Sequence, residues 1–195
     1  MARWAPDARG RLEQAALELY GERGFERTTV AEIAARAGLT ERTIFRYFAD
    51  KREVLFWGAG SLREFLVAAV EDAPADLTPI EAVTAAFRAA AVSFFEDRLD
   101  RVRQRQAVIG ANVELQEREL IKLASLASDL AEALRRRGAG DPASSLAAEA
   151  GVTVFRVAFE EWVRSDGAHT LSDGIGAAAD ALRRVTATRP SAGRP

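Results

Sequence analysis

The chain has 195 residues, 48% of them hydrophobic and 29% charged, with a net charge of −2, no cysteine and one histidine. That length can bury one sizeable core with a small appended module, and the absence of cysteine excludes disulfides, thiol chemistry and the usual zinc and iron sites. No apolar run reaches the roughly 18 residues of a membrane span, and the start "MARWAPDARGR" lacks an apolar signal core, so a cytoplasmic protein without a membrane partner is expected.

Leu12, Ala15, Ala16, Leu19 and Tyr20 recur at helical spacing and predict a first helix over about 7–22, ended by Gly21 and Gly24. Thr29 with Glu32 three residues on forms a capping box for a short second helix that turns Val30, Ile33, Ala34 and Ala37 inward. Gly38 closes it, and Thr40 opens a third helix, "LTERTIFRYFADK", which has Ile44 and Phe48 on one side and Arg42, Thr43 and Arg46 on another. Asp50 with Glu53 repeats the capping-box spacing and predicts a long helix to about Asp72. After the break "APADLTPIE", Thr78, Pro79 and Glu81 start a helix that runs to about Asp97. Further helices are expected at about 101–110, 113–137, 143–165 and 171–185, with "RRRGAGDP" and "SDGAHT" as breaks. No stretch alternates as a strand does. The fold class is therefore all-α, about nine helices, with an N-terminal three-helix bundle followed by a larger helical domain. The expected divisions are 1–50, 51–187 and a disordered tail at 188–195.

A short helix, a tight turn at Gly38 and a second helix exposing arginines have the layout of a helix-turn-helix, whose second helix enters the major groove of DNA. Arg42 and Arg46, one turn apart, suit guanine O6/N7 or phosphate, and Thr43 suits a thymine methyl or a phosphate. Thr28, Thr29 and Thr40 offer hydroxyls and N–H groups at helix starts of the kind that hold phosphate, and Lys51 has the same potential. Charge runs the same way, since residues 1–52 hold ten Lys and Arg against eight Asp and Glu, and residues 53–195 hold 17 against 21.

The stretch "RLEQAALELYGERGFERTTVAEIAARAGLTERTIFRYFADKREVL", about residues 9–55, resembles the DNA-binding domain of TetR-family transcriptional regulators. The resemblance implies that Thr29 and Thr40 hold phosphates, that Glu41, Arg42, Thr43 and Phe45 face bases, and that Arg46, Tyr47 and Lys51 hold the backbone. Phe45 stands where that family more often has tyrosine, so only apolar contact is open to it. The resemblance further implies a helical body that binds a small molecule and dimerises through its last two long helices.

The body's own residues suit that architecture. Along 146–164, Ala147, Ala150, Gly151, Val154, Ala158 and Trp162 form an apolar stripe whose small members would let another helix approach closely, as a subunit partner does. The last helix adds Ile175, Ala178, Ala179, Leu182 and Val185 on one face, which together predict a four-helix dimer bundle. Phe65, Phe87, Phe155, Phe159 and Trp162 supply bulky walls for a ligand pocket, and Arg105 and Asn112 supply polar groups to orient it. About Arg103 to Leu126 the chain resembles regulators of the mycofactocin type, which implies an acyl-CoA-like effector. The leading expectation is a homodimeric repressor released from a palindromic operator by a small, largely apolar ligand, and it needs no cofactor. A dimeric small-molecule carrier without an operator is the alternative. No enzyme is expected, because His169 sits in "SDGAHTLSD", a loop, and no carboxylate-histidine cluster accompanies it.

Overall fold

The computed structural model of the chain describes residues 8–165 and 169–187. Among these residues the backbone forms nine α-helices and no strand. They are α1 (Ala8–Arg23), α2 (Val30–Arg36), α3 (Glu41–Tyr47), α4 (Ala59–Glu71), α5 (Pro79–Phe94), α6 (Leu99–Gly110), α7 (Val113–Arg136), α8 (Ala143–Arg164) and α9 (Leu171–Thr186). Single 3-10 turns at Glu53–Phe56 and Glu96–Arg98 precede α4 and α6. The all-helical expectation holds. The tail at 188–195 and residues 166–168 of the "SDGAHT" break lie outside the described residues.

Contacts group the helices into two compact units, one comprising 8–63 with Arg98–Leu123 and the other Glu64–Asp97 with 124–187. The first unit takes in chain from beyond residue 50, for a reason visible in its core. Leu12, Ala16 and Leu19 of α1, Ile33 of α2 and Ile44 of α3 are buried together with Val54, Leu55 and Phe56 of the 3-10 turn. Val108, Ile109 and Leu115, from α6 and the start of α7, complete this cluster. Helices of 16, 7 and 7 residues are too few to enclose a core by themselves, so later chain closes it.

The long helix expected from Asp50 to Asp72 is interrupted. Asp50 Oδ1 accepts from the backbone N–H groups of Arg52 (2.8 Å) and Glu53 (3.2 Å), as a cap should. Glu53 does not reach back to complete the box, because its carboxylate accepts from Arg118 Nε (2.5 Å) and Lys122 Nζ (3.1 Å). One 3-10 turn then buries three consecutive apolar side chains, and "GAG" at 58–60 follows, where glycine weakens the helix, so α4 begins at Ala59.

Glu53 carries a pH dependence. Burial raises its pKa, but the hydrogen bonds and charges of Arg118 and Lys122 outweigh this and hold the carboxyl below its ordinary 4.5. A depressed carboxylate contributes stability that is present above the unfolded value and is lost as the pH falls through the folded one. Glu53→Gln is thus expected to melt below the parent at neutral pH, and the two melting curves should converge as the pH falls through and below the ordinary carboxylate range. A gap that persists unchanged to the acid limit would exclude this linkage.

In the second unit α5, α8 and α9 pack against one another. The predicted start of α5 is realised: Pro79 occupies the first turn, and Glu81 accepts from Thr78 N (3.0 Å). α8 approaches α5 at Gly151, where an added Cβ would stand 2.3 Å from Val83 Cγ1 and 3.2 Å from Val83 Cβ. On the α9 side, Ala158 Cβ would lie 3.8 Å from a Cβ placed on Gly174.

These contacts cover much of the predicted subunit-facing stripe from within the one chain. Ala147, Gly151, Val154 and Ala158 of α8 and Ile175 and Ala179 of α9 are buried within the one chain, while Ala150 and Leu182 are half-buried. The small residues admit the chain's own helices, and periodicity alone does not say which helix a small-residue stripe admits. α8 leaves Leu146, Thr153 and Val157 to solvent, and with Ala150 these lie along a single line of the helix. α9 exposes Val185 beside half-buried Ala178, Ala181 and Leu182.

Candidate nucleic-acid interface

Thr29 caps α2 with its hydroxyl accepting from Glu32 N (3.2 Å), and Glu32 accepts from Thr29 N (2.9 Å), so the predicted capping box is complete. Arg23 of α1 pairs with the same Glu32 at 2.6 Å. The turn to α3 depends on Gly38, whose φ of +65° is the left-handed conformation that side chains resist. There the N–H of Gly38 donates to Ala35 O (3.0 Å) and that of Leu39 to Ala34 O (2.8 Å). Thr40 then enters α3 from extended backbone, with Ile44 wholly buried and Phe48 nearly so. Each such side chain is worth about 1.5–3 kcal/mol of burial, which fixes the rotation of this short helix.

That rotation decides what faces outward. Glu41, Arg42, Phe45 and Arg46 are exposed, with Phe45 58% accessible, which is unusual for a large aromatic side chain. Thr43 is half-buried, its hydroxyl 3.0 Å from that of Thr40. Arg46 lies over the ring of half-buried Tyr47, 4.6 Å from its centroid, and donates to the Tyr47 hydroxyl (2.8 Å). Arg9 of α1 stands 4.9 Å from the same ring, a contact between residues far apart in the chain that no local pattern announces. The helix therefore presents a fork-shaped cation at Arg42, a carboxylate at Glu41 and an apolar ring at Phe45. These groups suit guanine, the cytosine amine and the thymine methyl, respectively.

Two predicted phosphate ligands are spent elsewhere. Thr28 is buried, and its hydroxyl donates to Gly24 O (2.9 Å), so it is not available to a phosphate. Lys51 directs its ammonium at three carbonyl oxygens, those of Phe25 (2.8 Å), Thr28 (3.2 Å) and Glu26 (3.5 Å), and sits 4.1 Å from the Phe25 ring centroid. Tyr20 completes the joint by donating to Lys51 O (2.9 Å), and burial, reinforced by Asp50, pushes its pKa up so that it keeps this proton. Lys51 thus ties the α1–α2 turn to the segment after α3. Lys51→Met, which keeps the stem and removes the donors, is expected to destabilise the first unit by about 1–3 kcal/mol. Thermal unfolding checks this, and a variant that melts with the parent would return Lys51 to the surface role.

The polar groups predicted for a ligand pocket are also engaged. Arg105 donates to Leu55 O (2.9 Å) and pairs with Glu119 (3.2 Å), Gln106 donates to the same Glu119 (3.3 Å), and Asn112 donates to Val108 O (2.7 Å) at the end of α6. All of these lie in the first unit. The predicted aromatic residues lie in the second, where they form a chain of ring contacts: Phe87 stacks on Phe155 at 4.8 Å, Phe155 meets Phe159 at 5.4 Å, and Phe159 meets Trp162 at 6.0 Å. Phe65 packs edge-on to Phe94 at 5.4 Å.

An all-helical fold carrying a helix-turn-helix with an exposed recognition helix defines the class of DNA-binding regulator. Residues 13–56 match the model of bacterial regulatory proteins of the tetR family, and residues 77–187 match that of the MftR C-terminal domain. The chain belongs to the TetR family of transcriptional regulators, with a C-terminal domain of the MftR type. It is 28% identical over 174 residues to the protein of Mycobacterium tuberculosis described as mycofactocin biosynthesis transcriptional regulator MftR, covering 88% of this chain and 87% of that one. It is 42% identical over 81 residues to the transcriptional regulator TcmR of Streptomyces glaucescens, a match to 42% of this chain that spans only 36% of TcmR. Among solved structures, FadR of Bacillus subtilis in complex with stearoyl-CoA superposes with a TM-score of 0.60 at 20% identity, over 89% of this chain and 96% of that one. At that identity the likeness is one of fold.

Proposed function

We propose that the protein is a homodimeric repressor that sets α3 of each subunit into successive major grooves of a near-palindromic operator, with half-sites about 34–36 Å apart or a little more. The observation that carries this reading is the exposed set Glu41, Arg42, Phe45 and Arg46 on a helix locked from behind by Ile44 and Phe48. Thr40 and Thr43 share one hydrogen bond and so leave one hydroxyl proton for a flanking phosphate, Thr29 would have to release Glu32, to which its hydroxyl donates (3.0 Å), to offer its own, and Arg46 with Tyr47 grips the strand as one unit. Selection of bound fragments from a random DNA library tests it: two related half-sites in opposite orientation are expected. Failure to enrich any sequence, with affinity insensitive to salt, would favour the small-molecule carrier instead.

Subunits pair in this reading through the outward lines of α8 and α9, Leu146, Ala150, Thr153 and Val157 with Ala178, Leu182 and Val185, in place of the buried stripe. Val157→Glu would set a charge in that seam without touching the chain's own core, because Val157 is exposed. The variant is expected to sediment as a monomer and to lose cooperative operator binding, while melting close to the parent. A dimeric Val157→Glu protein would displace the interface.

The effector is a small, largely apolar molecule of the acyl-CoA type, received among the aromatic side chains of the second unit. The MftR-type domain supports this, as does the run of Phe87, Phe155, Phe159 and Trp162. Ligand and operator then disfavour each other reciprocally.

A further inference from the structure

The first unit holds a concave groove of ≈ 390 Å³ to which no ligand has been assigned above. It is lined by Tyr47, Phe56 and Trp57, and by Arg9, Arg118 and Lys122 against one carboxylate, Glu53. Glu53 can neutralise only one of the three cations. Arg118 contacts it through Nε alone, and Lys122 through one bond, so among the described residues the terminal amines of the Arg118 guanidinium and two ammonium protons of Lys122 remain uncommitted. The Arg9 guanidinium rests on the Tyr47 ring, and the Lys122 ammonium stands 5.5 Å from the centroid of Phe56, so cations and flat apolar faces alternate around the groove. Gly60 lines it as well and leaves open space where a side chain would stand.

We infer that this groove is a second small-molecule site, one that takes a planar aromatic anion. The ring would lie against half-buried Trp57, and its carboxylate, sulfonate or phosphate would meet the open ends of Arg118 and Lys122 in a charge-assisted contact. Its volume falls in the range of about 300–1,000 Å³ typical of sites for such molecules. An anion there shares its two cations with Glu53, whose negative charge repels it and cancels part of theirs, so the groove's affinity is set in competition with that carboxylate.

The competition gives a test in which two substitutions in one cluster act in opposite directions. With 2-naphthoate as the probe and the full-length protein in a calorimeter, Arg118→Gln and Lys122→Gln should each weaken binding about tenfold, the usual effect of losing one charged hydrogen bond. Glu53→Gln should tighten it by a similar factor, and the neutral 2-naphthamide should bind the parent about tenfold more weakly than the acid. A cluster that merely held the fold would weaken the probe in all three variants alike. That pattern, no change in any variant, equal binding of acid and amide, or no binding to the parent would each overturn the assignment. The measurement contains no DNA, so it fails or succeeds independently of the operator reading.

Discussion

Arg42→Ala is expected to erase about 1–3 kcal/mol of discrimination between operator and random DNA while leaving weak non-specific binding nearly intact. Arg42 is exposed on α3 and has no hydrogen bond or ion pair among the described residues, so its guanidinium is free to present two donors to one guanine. Arg46 differs. It is already committed to the Tyr47 ring and hydroxyl, and its removal should lower affinity for all sequences and reduce the salt slope by about one. Mobility shifts against specific and scrambled duplexes at several salt concentrations separate the two behaviours. An Arg42→Ala protein that still preferred its operator as the parent does would remove this residue from base reading.

Gly151→Val is expected to force apart the seam between α5 and α8. Its Cβ would lie 2.3 Å from Val83 Cγ1, inside any permitted contact, and turning the Val83 side chain does not relieve the 3.2 Å approach to its Cβ. α5 and α8 would have to separate at a point where Phe87 and Phe155 stack just beside the seam. Overpacking of this kind costs about 1–3 kcal/mol, and valine recovers little of it through helix propensity. For a chain of this size that corresponds to a fall of roughly 2–10 °C in the melting temperature. Val83→Ala in the same protein should restore part of the loss, since Cγ1, the atom that approaches to 2.3 Å, is removed and only the 3.2 Å approach to Cβ remains. If the double variant melts no higher than Gly151→Val alone, the clash is not the cause.

Much of the helical framework was legible in the sequence because its determinants are local. The capping boxes at Thr29 and Thr78, the glycine at the α2–α3 turn and the buried spacing of Ile44 and Phe48 each act within a few residues. What was not legible depended on distant partners. Asp50 and Glu53 have capping-box spacing, yet Glu53 is claimed by Arg118 and Lys122, some 65 residues on. Lys51 looks like a phosphate ligand until Phe25, Glu26 and Thr28 are seen to offer it their carbonyls. The small residues of α8 mark a seam, but a helical stripe carries no label for the helix it meets, and α5 and α9 of the same chain fill it. The closing of the head core by Val108, Ile109 and Leu115 is similarly a matter of topology.

The Lys51 joint has a consequence for chemical regulation. The sequence holds only two lysines, Lys51 and Lys122, beside 25 arginines. Lys51 is enclosed by backbone carbonyls, Lys122 holds Glu53, and every cation exposed on α3 is an arginine. Acylation of amines, which tunes many DNA-binding surfaces by cancelling charge, therefore has no substrate on this recognition helix. An acyl group forced onto Lys51 would act instead on the joint between α1 and the segment after α3, loosening the head that carries the arginines while leaving their charge untouched.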